Sequence, residues 1–475
     1  MTRPDSSRRP DEAPADPSRR RFLGQASCAA LSATALANTV LNLELFGGVA
    51  AAGSASDYKA LICLFLTGGN DSFNMVVPRG SFEHAEYLGI RQDLALPRAS
   101  LLPVTPTTSD GKEYGLHPAM SGMQSLFAQG HLAFVNNVGT LVEPTTLAQW
   151  NAETANLPLG LFSHADQIQQ WQTSIPDARS GLGWGGRMAD LIQELNASQR
   201  ISMNISLSGT NVFQSGETVG DYAVFPGVGS AGLWGYGETH PLARLRTTAI
   251  DTQLAATYTN ILEQGYREKM RSALDAHDEF STALAGVPPR TSTFTTSNPV
   301  SEAFETVVDV IAARDTLEQS RHTFFVEFGG WDHHDEVLNN QQRMLGVVDQ
   351  AVTELWAALG ELGVQDDVVL FSSSDFGRTL TSNGAGSDHG WGGNQFVLGG
   401  AVRGGDFYGT YPDLHAGNEL DTGRGRLIPT LSVDEYFAEL ARWMGVDSAD
   451  VARVLPNIGR FWDPLSGSLP IGFLS

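Results

Sequence analysis

The sequence predicts an α/β domain with a doubly wound, mostly parallel sheet and helices on both of its faces. The first observation behind this prediction is that short apolar runs, typical of buried strands, alternate with longer segments of helical periodicity. The second is that carboxylate and imidazole side chains follow several of these runs directly. Because the carboxyl ends of parallel strands meet at one edge of a sheet, a functional site is expected there.

The predicted strands and helices alternate along most of the chain. The strands are apolar or weakly alternating runs at Lys59–Leu66, 132–137, 201–208, 323–328 and 368–371. The helices are predicted at 118–129, from Ser163 onward, and at 188–195, 300–319, 341–362 and 432–444. Residues 209–238 are Gly-rich and irregular, whereas residues 242–285 have helical character throughout. We therefore expect a helical insertion at about 240–320.

The first 52 residues predict an export signal. Residues 18–23 read Ser-Arg-Arg-Arg-Phe-Leu, which is typical of a twin-arginine signal, and the uncharged run after them is too polar for a membrane-spanning helix. A small-residue cleavage site at 50–52 would start the mature chain near Gly53, and no linker or repeat divides 53–475, which predicts a single domain. We therefore expect a periplasmic or secreted protein. It would meet the twin-arginine translocase during export and keep no stable membrane anchor after cleavage.

The charge balance excludes some classes of partner. The chain has 30 basic and 53 acidic residues, and residues 1–52 hold six and five of them, which leaves the mature chain with 24 and 48 and a net charge of −24. Such a surface repels nucleic acid and anionic lipid headgroups, and an anionic substrate would need a local cation such as a metal ion. Only Cys63 remains after cleavage, so no intramolecular disulfide is expected.

Candidate metal ligands follow the predicted strands. Asp and His suit zinc, and carboxylates also suit calcium or magnesium. In the run Asp-His-His at 332–334, an extended chain puts Asp332 and His334 on one side, so we prefer His334 to His333. For Asp71, the alternative is a turn-closing role without a metal. The candidate ligands are Asp71, Asp332, His334, Asp375, Asp388 and His389.

Ser163 and His164 stand at a predicted helix entry. Asp166, three residues after Ser163, resembles the acidic member of a capping box, which is a purely structural role. A helix N-terminus also favours anions, so Ser163 is equally a candidate nucleophile for a phosphoryl or sulfuryl centre. His164 is a candidate base for that serine. The sequence has no G-x-S-x-G elbow, which counts against an α/β-hydrolase triad.

Two arginines complete the candidate catalytic residues. Arg187 follows Gly-Leu-Gly-Trp-Gly-Gly, which either places it near an anion or forms a tight turn that packs a helix N-terminus. Arg378 ends the string Asp-Phe-Gly-Arg after a predicted strand. Residues 227–232 match G-x-G-x-x-G, but no helical pattern follows them, so a dinucleotide site is not expected.

Six motifs carry a resemblance to a known family. They are Leu-Thr-Gly-Gly-Asn-Asp at 66–71, Leu-Phe-Ser-His-Ala-Asp at 161–166, Gly-Trp-Gly-Gly-Arg at 183–187, Asp-Phe-Gly-Arg-Thr at 375–379, Asp-His-Gly-Trp at 388–391 and Leu-Ile-Pro-Thr-Leu-Ser at 427–432. Together with the twin-arginine signal, these motifs resemble those of a family of exported bacterial proteins that is classified as a domain of unknown function. That family is placed with the alkaline phosphatase and sulfatase superfamily. The resemblance spans most of the mature chain. It implies an alkaline phosphatase-like fold and, where active, metal-assisted hydrolysis of phosphate or sulfate esters.

The resemblance also implies roles for individual residues. Asp71 matches a carboxylate of the second metal, and Ser163 matches the nucleophile position. The first metal would be held by Asp332, His334 and His389. Asp375 falls where the superfamily has an Asp-His pair for the second metal, but Phe376 replaces the histidine. We therefore expect one occupied metal site in preference to two.

The sequence thus predicts an exported, metal-dependent hydrolase of small anionic phosphate or sulfate esters. Zinc is the expected metal, with calcium or magnesium as alternatives. Two other functions stay open at this point. One is a non-catalytic envelope protein that retains the fold, and the other is a serine hydrolase that uses Ser163 and His164.

Overall fold

The strands of the protein form one large sheet and two small ones in residues 58–475, which are the residues that the computed structural model describes. The predicted export signal lies outside them. The strands are β1 (Lys59–Leu66), β2 (Val76–Pro78), β3 (Leu102–Val104), β4 (Tyr114–Leu116), β5 (Leu132–Gly139), β6 (Asn204–Ser206), β7 (Tyr222–Ala223), β8 (Arg321–Glu327), β9 (Val368–Ser374), β10 (Arg378–Ser382), β11 (Ser387–His389), β12 (Gly393–Leu398), β13 (Phe407–Tyr408) and β14 (Leu431–Ser432).

The large sheet is mostly parallel, as predicted. Its strand order is β13-β5-β12-β9-β1-β8-β6-β7, and β14 also pairs with β5. Only β12 runs antiparallel to its neighbours, β5 and β9, among the strand pairs described for this sheet. The strands β2, β4 and β3 form a small antiparallel sheet, and β10 pairs with β11 beside the large sheet.

Helices connect the strands of the protein. They are α1 (Ser81–Arg91), α2 (Ser121–Ala128), α3 (Leu147–Asn151), α4 (His164–Thr173), α5 (Trp184–Ile192), α6 (Pro241–Ala255), α7 (Ile261–Ala285), α8 (Pro299–Ala312), α9 (Val337–Leu362), α10 (Val433–Met444) and α11 (Val451–Val454). The helices α6, α7 and α8 fall between β7 and β8, within the segment 240–320 where a helical insertion was expected. No helix of residues 58–475 combines the length and the apolar character that a membrane crossing needs.

The sheet is buried on both faces, and β1 shows it most directly. Ile62 and Leu64 pack into one apolar core, whereas Leu61 and Phe65 pack into a second one. Because successive side chains of a strand point to opposite faces, the two cores lie on opposite sides of the sheet. This arrangement explains why the strand reads as a continuous apolar run.

Some element boundaries differ from the sequence prediction. The strand β1 has the predicted bounds, but the helix predicted at 188–195 begins at Trp184 instead. The reason is tertiary: a Cβ at Gly185 would come within 2.5 Å of the Phe213 ring, and one at Gly186 within 2.1 Å of the Ser215 backbone. The glycines therefore allow a close packing contact within the helix rather than forming a turn before it.

Candidate metal centre

Three adjacent parallel strands bring the loops of the centre together. The strand β1 lies between β8 and β9, so the chain leaves all three strands at the same edge of the sheet. Asp375 follows β9 directly, and Asp332 lies in the loop after β8. After β1, Gly68 has a φ of 121°, and a Cβ there would lie 2.5 Å from the backbone nitrogen of Asp332. Only glycine allows this approach, which brings the loops after β1 and β8 together.

Four side chains from three parts of the chain converge at this edge. His164, Asp332 and His389 each offer a ligand atom within 4.8 Å of the others. The Nε2 atom of His389 lies 3.1 Å from the Nε2 of His164 and 3.1 Å from the Nε2 of His334. The Asp332 carboxylate lies 3.1, 3.4 and 3.5 Å from the Nε2 atoms of His334, His389 and His164. The Asp332 carboxylate thus lies within 3.5 Å of all three Nε2 atoms, and the Nε2 of His389 lies 3.1 Å from each of the other two.

The other ring nitrogen of each histidine faces an acceptor. The Nδ1 of His164 lies 2.6 Å from Asp375 Oδ2, the Nδ1 of His334 lies 3.1 Å from Asp388 Oδ1, and the Nδ1 of His389 lies 2.8 Å from the carbonyl oxygen of Phe162. A carbonyl or carboxylate oxygen only accepts, so each Nδ1 donates its proton. This assignment leaves the Nε2 lone pair of each neutral ring directed at the point of convergence.

Asp375 and Asp388 therefore lie behind the imidazoles rather than among the converging atoms. Both were predicted as direct ligands. The Oδ1 of Asp375 accepts from the backbone N–H of Gly68 at 3.0 Å, and the Oδ2 of Asp388 accepts from Arg424 at 2.6 Å. Carboxylates in this position fix the tautomer and orientation of metal-binding histidines.

Arg378 connects the loops of the centre through hydrogen bonds from its buried guanidinium. Its guanidinium is buried and donates to the carbonyl oxygens of Gly68 at 2.7 Å, Gly69 at 2.9 Å and Ser387 at 3.0 Å. It also donates to the carboxylate of Asp332. One side chain thus ties the loops after β1 and β8 to the start of β11 and orients Asp332, so it positions the centre without being one of the converging groups.

Electrostatics keep the two most exposed carboxylates ionised. Burial works to raise the pKa of Asp332, but hydrogen bonding and charge from Arg378 outweigh it, so the pKa lies below its usual value. Burial also opposes ionisation of Asp388, but Asn383 and Arg424 lower its pKa to about 2. Both groups therefore carry a negative charge at neutral pH.

The pKa values of His164 and His389 shift in opposite directions. The hydrogen bond with Asp375 raises the pKa of His164 above its ordinary value. Burial lowers the pKa of His389, although the carbonyl of Phe162 works against that shift. An imidazole must be neutral to bind a metal, so metal binding at His164 would release any proton on its Nε2.

Phe376 backs the imidazoles instead of opening a second ligand position. The ring is 2% exposed, and its centroid lies 4.9 Å from that of His164 and 4.7 Å from that of His389. A Cβ at Gly69 would meet the same ring at 2.6 Å. Phe376 is therefore packed on both sides by residues of the centre.

Asp71 has a different partner from the one predicted. Its Oδ2 lies 2.6 Å from Nη2 of Arg91, with both side chains buried, and accepts from the hydroxyl of Ser387 at 3.0 Å. Its Oδ1 is buried and has no hydrogen-bond partner in the described chain. Asp71 is thus neutralised by an internal arginine.

The remaining predicted residues take distinct positions. Ser163 is the N-cap of α4, but its side chain makes no capping hydrogen bond, so the predicted capping box does not form with Asp166. Arg187 donates to the carbonyl oxygens of Val454, Leu182 and Thr173, which accounts for all three of its nitrogens. Burial lowers the pKa of Arg187 to about 10. Arg187 therefore joins segments of the backbone.

His333 and His334 lie in different surroundings. His334 is largely exposed and joins the converging atoms, whereas His333 is 4% exposed. Neither ring nitrogen of His333 has a hydrogen-bond partner in the described chain. Burial lowers the pKa of His333, which favours its neutral form.

Sequence reasoning missed two features of the centre. It considered His164 only as a base for Ser163, because nothing in the local sequence relates that helix entry to residues more than 160 positions away. It also missed the backbone of Phe162, whose φ of 73° turns its carbonyl toward His389. A non-glycine residue in the left-handed region is strained by on the order of 1–3 kcal/mol, and such strain clusters at functional sites.

The residues present fit a divalent metal. Three imidazole nitrogens and one carboxylate are a typical donor set for zinc. Lone pairs that face each other at 3.1 Å repel unless a cation or a proton lies between them. The acceptors behind each Nδ1 complete the pattern that metal-binding histidines show.

Comparisons with solved structures found similarity over most of the chain at low identity. A sulfatase from Pseudoalteromonas sp. is 12% identical, with 82% of this chain and 68% of that chain covered and a TM-score of 0.32. The C-terminal periplasmic domain of EcEptC from Escherichia coli, in complex with Zn, is 12% identical, with 88% and 92% covered and a TM-score of 0.33. The soluble domain of lipooligosaccharide phosphoethanolamine transferase A from Neisseria meningitidis is 9% identical, with 82% and 89% covered and a TM-score of 0.32.

Comparison of the sequence itself gives a firmer result. No curated protein matches it. A family model does, and its match begins at the first residue that the structure describes and includes β1, the converging side chains and α10. Because this model, described as "Protein of unknown function (DUF1501)", matches residues 58–454, the chain belongs to that family.

Proposed function

We propose that the protein is an exported hydrolase of phosphate or sulfate esters that uses one divalent metal ion, with zinc as the first candidate. The observation that carries the proposal is that the Asp332 carboxylate lies 3.1 to 3.5 Å from the Nε2 atoms of His164, His334 and His389, and that the Nε2 of His389 lies 3.1 Å from each of the other two. The Nδ1 atom of each of the three histidines donates a hydrogen bond to an acceptor. The ester class rests on the motif resemblance described above.

In this proposal His164, His334, His389 and Asp332 hold the ion. A bound zinc ion would supply Lewis acidity toward an ester oxygen and a positive charge in an otherwise acidic protein. Arg378 keeps Asp332 ionised and oriented, and Asp375 keeps Nε2 of His164 available as a donor. These two residues act by positioning the ligands.

Ser163 is the proposed nucleophile. Its hydroxyl makes no capping bond, and it lies at the N-terminus of α4, directly before His164. Backbone N–H groups at a helix N-terminus favour the oxygens of an anionic ester. His164 is not available as its base in this arrangement, because Nδ1 donates to Asp375 and Nε2 faces the other ligands. The geometry thus favours the metal-dependent reaction over the serine-hydrolase alternative.

One ion is proposed rather than two because Asp71 already has a cationic partner. The Arg91 guanidinium and the Asp71 carboxylate lie 2.6 Å apart, and both are buried. A second divalent ion at Asp71 would have to displace that guanidinium, and leaving an unpaired charge in the interior costs several kcal/mol. Asp375 is likewise committed to His164 and to Gly68.

The test combines metal analysis with a panel of ester substrates. Purified protein should contain about one zinc ion per chain and hydrolyse an aryl phosphate or an aryl sulfate. His389→Ala and Asp332→Asn should each lower metal content and remove turnover while the fold is kept, because both side chains lie at an accessible edge. His415→Ala, an exposed histidine outside the centre, is the matched control.

The outcomes separate the proposed function from its alternatives. Stoichiometric metal without turnover on either ester class would support the non-catalytic envelope protein instead. Turnover that survives chelation and is lost in Ser163→Ala would support the serine hydrolase. Unchanged metal content in both His389→Ala and Asp332→Asn would refute the ligand set.

A further inference from the structure

We infer that Arg426 is the anion-binding residue of this centre, and that it presents its two terminal guanidinium nitrogens to a tetrahedral oxoanion, the phosphate or sulfate group of the ester. The inference rests on the proposed function and names the residue that recognises the charged part of the substrate. None of the sequence motifs singled out above contains Arg426.

Arg426 is in contact with two segments of the centre. Its Nε donates to the carbonyl oxygen of His389 at 3.0 Å. Its guanidinium carbon lies 5.0 Å from the centroid of the Phe162 ring, in a cation–π arrangement. Phe162 holds Nδ1 of His389 and directly precedes Ser163. Arg426 therefore joins the segment with the proposed nucleophile to a segment with a proposed metal ligand.

The loop that carries Arg426 is held in place by its own hydrogen bonds. The Asp421 Oδ1 accepts from the backbone N–H groups of Gly423 at 2.8 Å and Gly425 at 2.7 Å. The Thr422 backbone N–H and hydroxyl both donate to the carbonyl of Arg426, at 3.0 and 2.9 Å. These bonds fix the backbone of Arg426, and the hydrogen bond from its Nε to His389 orients the guanidinium before a ligand arrives, which lowers the entropy cost of binding.

The terminal nitrogens of Arg426 are unused. Within residues 58–475, neither terminal nitrogen has a hydrogen-bond partner and Arg426 forms no ion pair, although its side chain is half-buried. The neighbouring arginines differ in this respect, because Arg424 is paired with Asp388 and Arg378 with Asp332. Arg426 thus keeps its positive charge for a ligand.

The chemistry of the unused group selects the ligand. A guanidinium offers parallel N–H donors that match two oxygens of a phosphate or sulfate group, and a lysine cannot reproduce this geometry. The mature chain has a net charge of −24, so an anion approaching it needs local positive charge. A fixed arginine with two free donor groups beside the centre meets that need.

The experiment measures anion binding separately from turnover. Inorganic phosphate and inorganic sulfate are titrated by calorimetry into zinc-loaded wild-type protein, Arg426→Gln, Arg426→Lys and the control Arg200→Gln, whose arginine is exposed and pairs with Glu279. We expect Arg426→Gln to bind the preferred anion roughly 10- to 100-fold more weakly, as expected for loss of a charged hydrogen-bond donor. We expect Arg426→Lys to recover only part of that loss, and Arg200→Gln to match the wild type.

A structural role for Arg426 gives a different pattern. If Arg426 only supports the backbone of His389, Arg426→Gln would lose zinc while any zinc-loaded fraction would bind the anion normally, and this would overturn the inference. Equal anion affinity in Arg426→Gln and wild type with zinc retained would overturn it too. In ester hydrolysis, we expect Arg426→Gln to raise KM and to lower kcat/KM by more than it lowers kcat.

The proposed function can fail independently of this inference. Wild-type protein that binds the anion through Arg426 but hydrolyses no ester would contradict the hydrolase and leave the anion site supported. A preference for phosphate or for sulfate in the titrations identifies which oxoanion the site takes.

Discussion

Replacing Asp375 with Asn tests whether the residues behind the imidazoles are built for a metal. The carboxylate is buried and accepts two hydrogen bonds, from the backbone N–H of Gly68 at 3.0 Å and from Nδ1 of His164 at 2.6 Å. An asparagine has one acceptor oxygen and one NH2 group. Whichever way the amide is turned, one of the two donors faces the NH2 group and loses its partner.

The size of the effect follows from this geometry. One buried donor without a partner costs about 1–3 kcal/mol of folding free energy. Loss of a carboxylate that orients a metal-binding histidine lowers metal affinity by roughly 10- to 100-fold. The hydrogen bond with Asp375 is the main cause of the raised pKa of His164, so that pKa should fall in Asp375→Asn.

The assay is zinc competition against a chelator of known affinity, with NMR titration of His164 in metal-free protein. Asp315→Asn, an exposed aspartate outside the centre, is the control for the same chemical change. Zinc affinity within about twofold of wild type would refute the reasoning, because Asp375 would then have no influence on the ligand in front of it. An unchanged pKa of His164 would refute the hydrogen-bond assignment separately.

Three further predictions concern other parts of the chain. Phe376→His should leave metal content near one ion per chain, because Asp71 is already paired with Arg91. It should lower the free energy of unfolding by roughly 1–3 kcal/mol, because the Phe376 ring is packed between a glycine and the imidazoles. Metal analysis and a thermal melt on one preparation check the two expectations. Burial raises the pKa of Asp434 to about 7, compared with an unfolded value near 4. The neutral Asp434 carboxyl therefore contributes stability to the folded state below pH 4, and this contribution is lost as pH rises through 7. In urea melts, Asp434→Asn should be more stable than wild type at pH 8, by up to about 4 kcal/mol, and should differ little from it at pH 4. Exchange of both Arg19 and Arg20 for Lys should retain the precursor in the cytoplasm, and undiminished periplasmic protein would contradict the twin-arginine signal.

The fold class could be predicted from the sequence because the local composition of a strand indicates whether one or both of its faces are buried. The run Lys59–Leu66 has no polar residue after its first position, and a strand of this kind needs cover on both faces, which the two apolar cores supply. Alternation of such runs with helical segments then left a parallel sheet as the simplest arrangement. The edge that carries the centre followed from the same rule, since Asp332 and Asp375 come after parallel strands.

Only the tertiary structure decided which of these side chains meet. Asp71 and Asp375 both follow central strands, yet Arg91 pairs with Asp71 and His164 pairs with Asp375, and each of these contacts joins residues far apart in sequence. A local pattern shows which side of a strand or loop a residue faces, but not which distant cation or imidazole approaches it. The converging nitrogens of His164, His334 and His389 depend on loops that approach each other at a glycine and on a buried arginine that ties those loops together. Long-range packing of this kind fixed the centre.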